Sequence, residues 1–311
     1  RAFAQNMFHG GSYLAKLRYG DQLAEQLDSM KKTVEKEIDA NPDYDQVTAR
    51  NVYEEMEKRH ESYMNPKPHP VSTALTSLGF VYYLGLSPAA AMVNLSQTAL
   101  VAYPMMGAKF GFRKSASALK AAMADFAEGI DVKNRNLDIT KSLNPDEKKA
   151  YEEALRRGVI DKTQVHSLAG VAQGEDSGLS EKLKPIMKWS SFMFHHAERF
   201  NREVTFVASY RLAKEHSIVE NGKPRKLTND EALEMAIDMT YKGHFDYSAG
   251  NRARIMQGNV AKVVLLFKQF AQNMIFTLMR QAYLSMYGMD VNERNEARKA
   301  LAAILAFHGM A

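Results

Sequence analysis

Cysteine is missing from all 311 residues, which excludes disulfides, thiolate metal sites and a cysteine nucleophile without fixing a compartment. No run of five or more like charges occurs, and 41 basic against 36 acidic residues leave a net charge of only +5, so a dedicated nucleic-acid arm is not expected. Neither a Gly-x-Ser-x-Gly elbow nor a Gly-Lys-Ser/Thr phosphate loop is present. The sharpest absence is local. From Val71 to Ala108 there are 38 residues without an Asp, Glu, Lys, Arg or His, in a chain that is 25% charged. Such a stretch must be buried in the protein's own core, in a partner or in a bilayer.

What is present is helical spacing. Leu23, Leu27, Met30, Val34 and Ile38 form a narrow apolar seam, Asn41-Pro42-Asp43 breaks it, and a second polar helix runs from about Asp45 to Met64 until the prolines 66, 68 and 70. The uncharged stretch reads as two helices divided at Ser87-Pro88, a cap followed by a first-turn proline, with Tyr103-Pro104 and Gly107 closing the second. Each arm is short for a membrane span and is diluted by Ser, Thr, Asn and Gln, so a buried αα-hairpin is preferred to insertion. Asn144-Pro145-Asp146-Glu147 and Thr228-Asn229-Asp230-Glu231 each open a helix. Between them, Trp189, Phe192, Met193, His196, Phe200, Val204, Val207 and Arg211 share one helical face. Gly170 to Gly178 reads as a loop between subdomains, and Ile255 to Met289 as a long charge-poor segment. No strand alternation is found. The expected fold is therefore all-α: a multi-helix bundle with a central uncharged αα-hairpin, organised as amphipathic helices over 1–70, the hairpin and its following helices over 71–169, and a C-terminal helical region over 179–311. With no initiator Met and no cap at the far end, the chain reads as a segment of a longer polypeptide.

Three groups of residues are candidates for function. Glu198, Arg199, Asn201, Arg202 and Glu203 form crossed i,i+4 pairs, read as a structural polar clamp in which Asn201 and Arg202 turn inward to bond backbone carbonyls or another helix. Leu86, Met92 and Leu95 in the uncharged stretch, with Phe267, Phe270 and Ile275 further on, are the candidate membrane or partner surface. Arg252, Arg254, Lys262 and Lys268 are candidate nucleic-acid contacts, although Lys262 and Lys268 lie six apart and do not share a face; snorkelling lysines are the simpler alternative. His195 and Glu198 have the reverse order of the Glu-x-x-His pairs used by carboxylate-bridged metal bundles, so no metal or other cofactor is expected and His196 is read as an interior histidine.

The run Ala197-Glu198-Arg199-Phe200-Asn201-Arg202-Glu203-Val204-Thr205-Phe206, continued by Tyr210-Arg211-Leu212-Ala213, resembles a segment of very large bacteriophage proteins. These are the polyvalent proteins with a PLxRFG region and the internal virion proteins ejected with DNA by short-tailed phages. The stretch Ser87-Pro88-Ala89 to Asn94-Leu95-Ser96-Gln97 upstream, and Phe267-Lys268-Gln269-Phe270 with Asn273 downstream, fit the same order over roughly residues 70 to 285. The name-giving Pro-Leu-x-Arg-Phe-Gly is absent, which leaves the subfamily open. The resemblance implies a helical module of a giant multi-domain chain, packaged in a virion or delivered from it into the host cell or its envelope; the two charge-poor segments add the expectation of a non-enzymatic assembly module with self-association, the parent chain's other domains and a membrane as partners. It transfers no active-site residue. The alternative is a soluble, DNA-associated module of the same chain; an enzyme built on the polar clamp and His195 ranks last.

Overall fold

A computed structural model gives the fold and describes residues 2–41, 43–65, 70–80, 82, 87–131, 136–137, 139–160, 192–220, 223–246, 259–265 and 268–310. The fold is all-α. The helices in chain order are α1 (Ala2–Ala40), α2 (Gln46–Met64), α3 (Pro70–Phe80), α4 (Pro88–Gln97), a π-helical turn (Thr98–Ala102), α5 (Tyr103–Phe110), α6 (Phe112–Glu128) and α7 (Pro145–Arg156). They continue with α8 (Phe192–Glu215), α9 (Asn229–His244), α10 (Asn259–Val264), α11 (Lys268–Tyr287) and α12 (Val291–Met310). These helices form two compact units, and the uncharged stretch supplies α3 to the first and α4 to the second.

In the first unit α1 and α2 pack as a helical hairpin and α3 packs on α10. Asp45 caps α2 by accepting the Thr48 N–H at 3.0 Å, and the Thr48 side chain, followed by that N–H, holds its carboxyl below the usual aspartate range. Gly20 is buried where a Cβ would lie 2.7 Å from Met64 Cε, so its small size lets α1 close on the end of α2. Lys16 Nζ donates to the Met64 carbonyl at 3.3 Å, a cation at a helix C-terminus.

The second unit is built around α8, which packs against α4, α6, α7 and α9, while α11 and α12 pair and α12 lies on α5. Its core gathers Val101, Met106, Leu119, Tyr151, Ile160, Phe206, Met239 and Ile304. Ser87 and Pro88 open α4, and the Asn144 and Thr228 boxes open α7 and α9, each with its reciprocal Glu147 or Glu231 bond. The end of the uncharged stretch differs from the sequence reading. Tyr103-Pro104 does not close the helix; the backbone widens into the π turn, with the Tyr103 N–H bonded to the Thr98 carbonyl five residues back, and continues to Phe110. The wider turn gives the Pro104 ring room beside the preceding carbonyls, where a regular turn would collide. The helix ends instead at Gly111, whose φ of 95° suits only glycine.

Two short antiparallel ladders also depart from the strand-free expectation: β1 (Ile130–Asp131) with β2 (Asn136–Leu137), and β3 (Ser217–Glu220) with β4 (Lys223–Lys226). The second had a local signal, because Asn221-Gly222 separates the paired Glu220 and Lys223, and Asn-Gly between two short runs favours a hairpin.

Gly243 on α9 meets the π turn so closely that a Cβ there would lie 2.7 Å from Ala102 Cβ and 3.1 Å from its Cα. Gly243→Ala should therefore lower stability by about 1–3 kcal/mol through overpacking, seen as a lower urea midpoint. Gly309→Ala in α12, where nothing stands within 4 Å of the new Cβ, should leave the midpoint unchanged or slightly higher.

Candidate functional site

From Asn201 to Tyr210 every residue of α8 is buried, including Asn201, Arg202, Glu203, Thr205 and Ser209. A helix enclosed on all sides must find partners for its polar groups within the protein. Arg202, 1% exposed, does so by reaching the ends of two other helices. Its Nη1 donates to the Val159 carbonyl at 3.0 Å, and its Nη2 to the carbonyls of Phe245 at 2.8 Å and His244 at 3.4 Å. The Glu198 carboxylate stands at 3.5 Å, the longest of the four contacts.

Both acceptor sites are helix C-termini, where carbonyls lack intrahelical donors and the helix dipole favours a cation. After α7 the chain turns through Gly158 at φ 71°, with Val159 N–H on the Ala154 carbonyl and Gly158 N–H on that of Leu155. This is a Schellman ending, and it aims the Val159 carbonyl at the guanidinium. After α9, Phe245 has a φ of 57°, a conformation that side-chain-bearing residues seldom take. Arg202 binds that strained residue's own carbonyl. One guanidinium thus fastens two helix ends to a third helix.

Neighbouring residues extend the network. Asn201 donates from Nδ2 to the Asn94 carbonyl at 2.6 Å and accepts from Thr98 Oγ1 at 2.8 Å, joining α8 to α4 and the π turn. Gln97 Nε2 donates to the Gly243 carbonyl at 3.3 Å. Glu203 Oε1 accepts from Tyr151 Oη at 2.5 Å and from Arg199 Nε at 2.9 Å. Burial, then the Glu203 charge, pushes the Tyr151 phenol well above its ordinary range; for Arg199 burial acts to lower the pKa, but Glu203 and Tyr151 together more than offset it and raise it. His244 Nε2 lies 2.7 Å from Thr205 Oγ1, and burial followed by the Arg202 charge pushes the imidazole down to about 3. At the far end of α8, Arg211 grips Glu147 through Nε at 2.8 Å and Nη2 at 3.1 Å, and Asp125 through Nη1 at 2.6 Å. That arrangement ties α6 and α7 to α8.

The structure brings Glu198, Arg199, Asn201, Arg202 and Glu203 into this network. Sequence reasoning missed Asn94, Thr98, Tyr151, Thr205 and His244, and placed Arg211 only as a member of an apolar face. The signal for Arg211 was an arginine in phase with Val204 and Val207, a position that needs an acid on a facing helix. His196 is a correction: it is exposed, while Phe194, Ala197 and Glu198 turn inward, because the side of α8 that carries the clamp is the packed one there. Met92, Leu95, Phe270 and Ile275 are exposed, and the Phe270 ring stands edge-on to Phe245 at 5.7 Å. Lys268 is exposed on α11 of the second unit, whereas Lys262 belongs to α10 of the first. Leu86, Phe267, Arg252, Arg254 and the loop from Gly170 to Gly178 lie outside the described residues.

Among the described residues no three His, Asp or Glu side chains converge as a metal site, and no helix is long and apolar enough to cross a membrane. A cleft of about 330 Å³ in the second unit is lined by Lys109, Lys242, Arg280, Asp290, Glu293 and Glu296, among others, and Lys109 pairs with Glu296 at 3.6 Å. None of the network side chains lines it. No family model, curated protein or solved structure matches the chain.

Proposed function

We propose that this chain is a non-enzymatic, all-α assembly module of a large phage virion or DNA-ejection protein, packaged with the virion and meeting the host envelope at its surface during DNA delivery. The observation that carries the reading is how the polar side chains of α8 are used. Arg202, Asn201 and Arg211 spend their hydrogen bonds on helix ends and facing helices, so these polar side chains tie the helices together as a scaffold. Large apolar side chains meanwhile face solvent, with Met92 and Val93 each 70% exposed on α4. Apolar surface of this kind marks contact with other proteins or lipid. The likeness of the α8 sequence to phage ejection and polyvalent proteins supplies the setting.

Flotation with neutral and anionic vesicles at low and high salt tests it. Binding to both lipids that survives high salt with helicity retained is expected, and Met92→Asp with Val93→Asp should abolish it. A helical protein that stays unbound would remove the envelope from the proposal. Binding to DNA that falls steeply with salt would favour the nucleic-acid alternative instead.

A further inference from the structure

Helix α11 carries six large side chains that stand largely exposed among the described residues: Ile275, Phe276, Met279, Tyr283, Met286 and Tyr287, each between 55% and 67% exposed. At 3.6 residues per turn they fall within an arc of about 120°, a single continuous stripe. The buried Gln281 lies on the opposite side. Taking about 200 Å² for each such side chain, the stripe offers roughly 700 Å² of mostly apolar surface, more than the largest patch on a typical monomer and close to the ~800 Å² per partner of a standard interface.

The spacing identifies the occupant. Successive members of the stripe are separated by one, three, four, three and one residues, a series that reads the same in both directions about Gln281. A two-fold axis pairing α11 with itself in antiparallel fashion requires that symmetry, since the same patch must meet its own reverse. It sets Ile275 of one copy against Tyr287 of the other, Phe276 against Met286, and Met279 against Tyr283, so no apolar side chain meets a polar one. Tyr283 and Tyr287 already pack on each other with ring centroids 5.1 Å apart, which presents a preformed aromatic surface.

We infer that this stripe is a two-fold interface through which two copies of the chain associate along antiparallel α11 helices. The inference deepens the assembly reading and rests on it for the purpose of the contact. The test is sedimentation velocity at about 10 µM, a concentration at which an interface of standard size is well populated. The chain alone is compared with Met279→Glu, with Tyr283→Lys and with an equal mixture of the two variants; circular dichroism checks the fold. Both sites are exposed, at 62% and 60%, so neither change enters the core.

The expected result is a dimer for the unaltered chain, affinity at least about 100-fold weaker for each variant alone, and recovery in the mixture, where the new charges oppose each other across the axis. A monomeric unaltered chain would overturn the inference, as would a dimer that persists in both variants, and the latter would leave the assembly reading standing. Failure of the mixture to recover would overturn the two-fold register. If the unaltered chain is monomeric and floats with neutral vesicles while both variants do not, the stripe is a lipid seat and the dimer is wrong. A dimer that forms as described while flotation fails would instead remove the envelope role alone.

Discussion

Arg202→Ala should destabilise the second unit by about 3–5 kcal/mol, a large share of the roughly 5–15 kcal/mol that holds a typical protein folded. The loss has three sources. The carbonyls of Val159, His244 and Phe245 lose their donor in a site closed to water, the buried Glu198 carboxylate loses its contact with Arg202, and the strained turn at Phe245 loses the contact on its carbonyl. Arg202→Lys should recover little, since one ammonium cannot span acceptors on two separate helix ends as the forked guanidinium does. Glu198→Gln should cost clearly less than Arg202→Ala, because its contact at 3.5 Å is the weakest of the four. Urea denaturation followed by circular dichroism measures all three. Equal losses for Glu198→Gln and Arg202→Ala would place the stability in the ion pair and contradict the carbonyl clamp.

Acidification should weaken the protein from about pH 6.5 downward. His244 is folded in a site that holds its pKa near 3, against about 6.5 when exposed. Between those values the unfolded chain takes up a proton that the folded chain refuses, so stability falls as pH falls, by up to about 1.4 kcal/mol per pH unit. The contribution is fully present above pH 6.5, and about 2 kcal/mol of it is gone by pH 5. Glu231, held down to about 2 chiefly by its bonds from Arg225, acts in the same direction but only below its unfolded pKa of 4.5. The two windows therefore separate. Unfolding midpoints from pH 7 to pH 5 should decline steadily for the unaltered chain and stay much flatter for His244→Gln, whose amide can still reach Thr205 without titrating. An unaltered slope in the variant would assign the acid sensitivity to another group.

Local signals were easily read. Asp45, Ser87-Pro88, Asn144 and Thr228 open helices because a cap and its partner lie within three residues of each other, and that chemistry is complete in the sequence. The inward turn of Asn201 and Arg202 was legible only as a pattern of charges. What makes it possible is the set of carbonyls at Asn94, Val159, His244 and Phe245, brought from distant parts of the chain. His244 was invisible for the same reason: nothing beside it in sequence predicts that α8 will close over it. Pro104 misled because a proline within an apolar run is a strong stop signal, and the π turn that accommodates it has no compositional mark.

That π turn has a further meaning. It holds one residue more than the α-helical turn it replaces, and each residue advances a helix by about 100°. The segment from Pro88 to Phe110 is therefore two helices out of phase, fused without a loop. Its first half is oriented by Asn94 and Gln97, its second by Met105 and Met106 in the core, and the extra residue lets both sets of contacts be met at once. The fold thus accommodates one extra residue inside a continuous helix, and what changes is the face that each half presents.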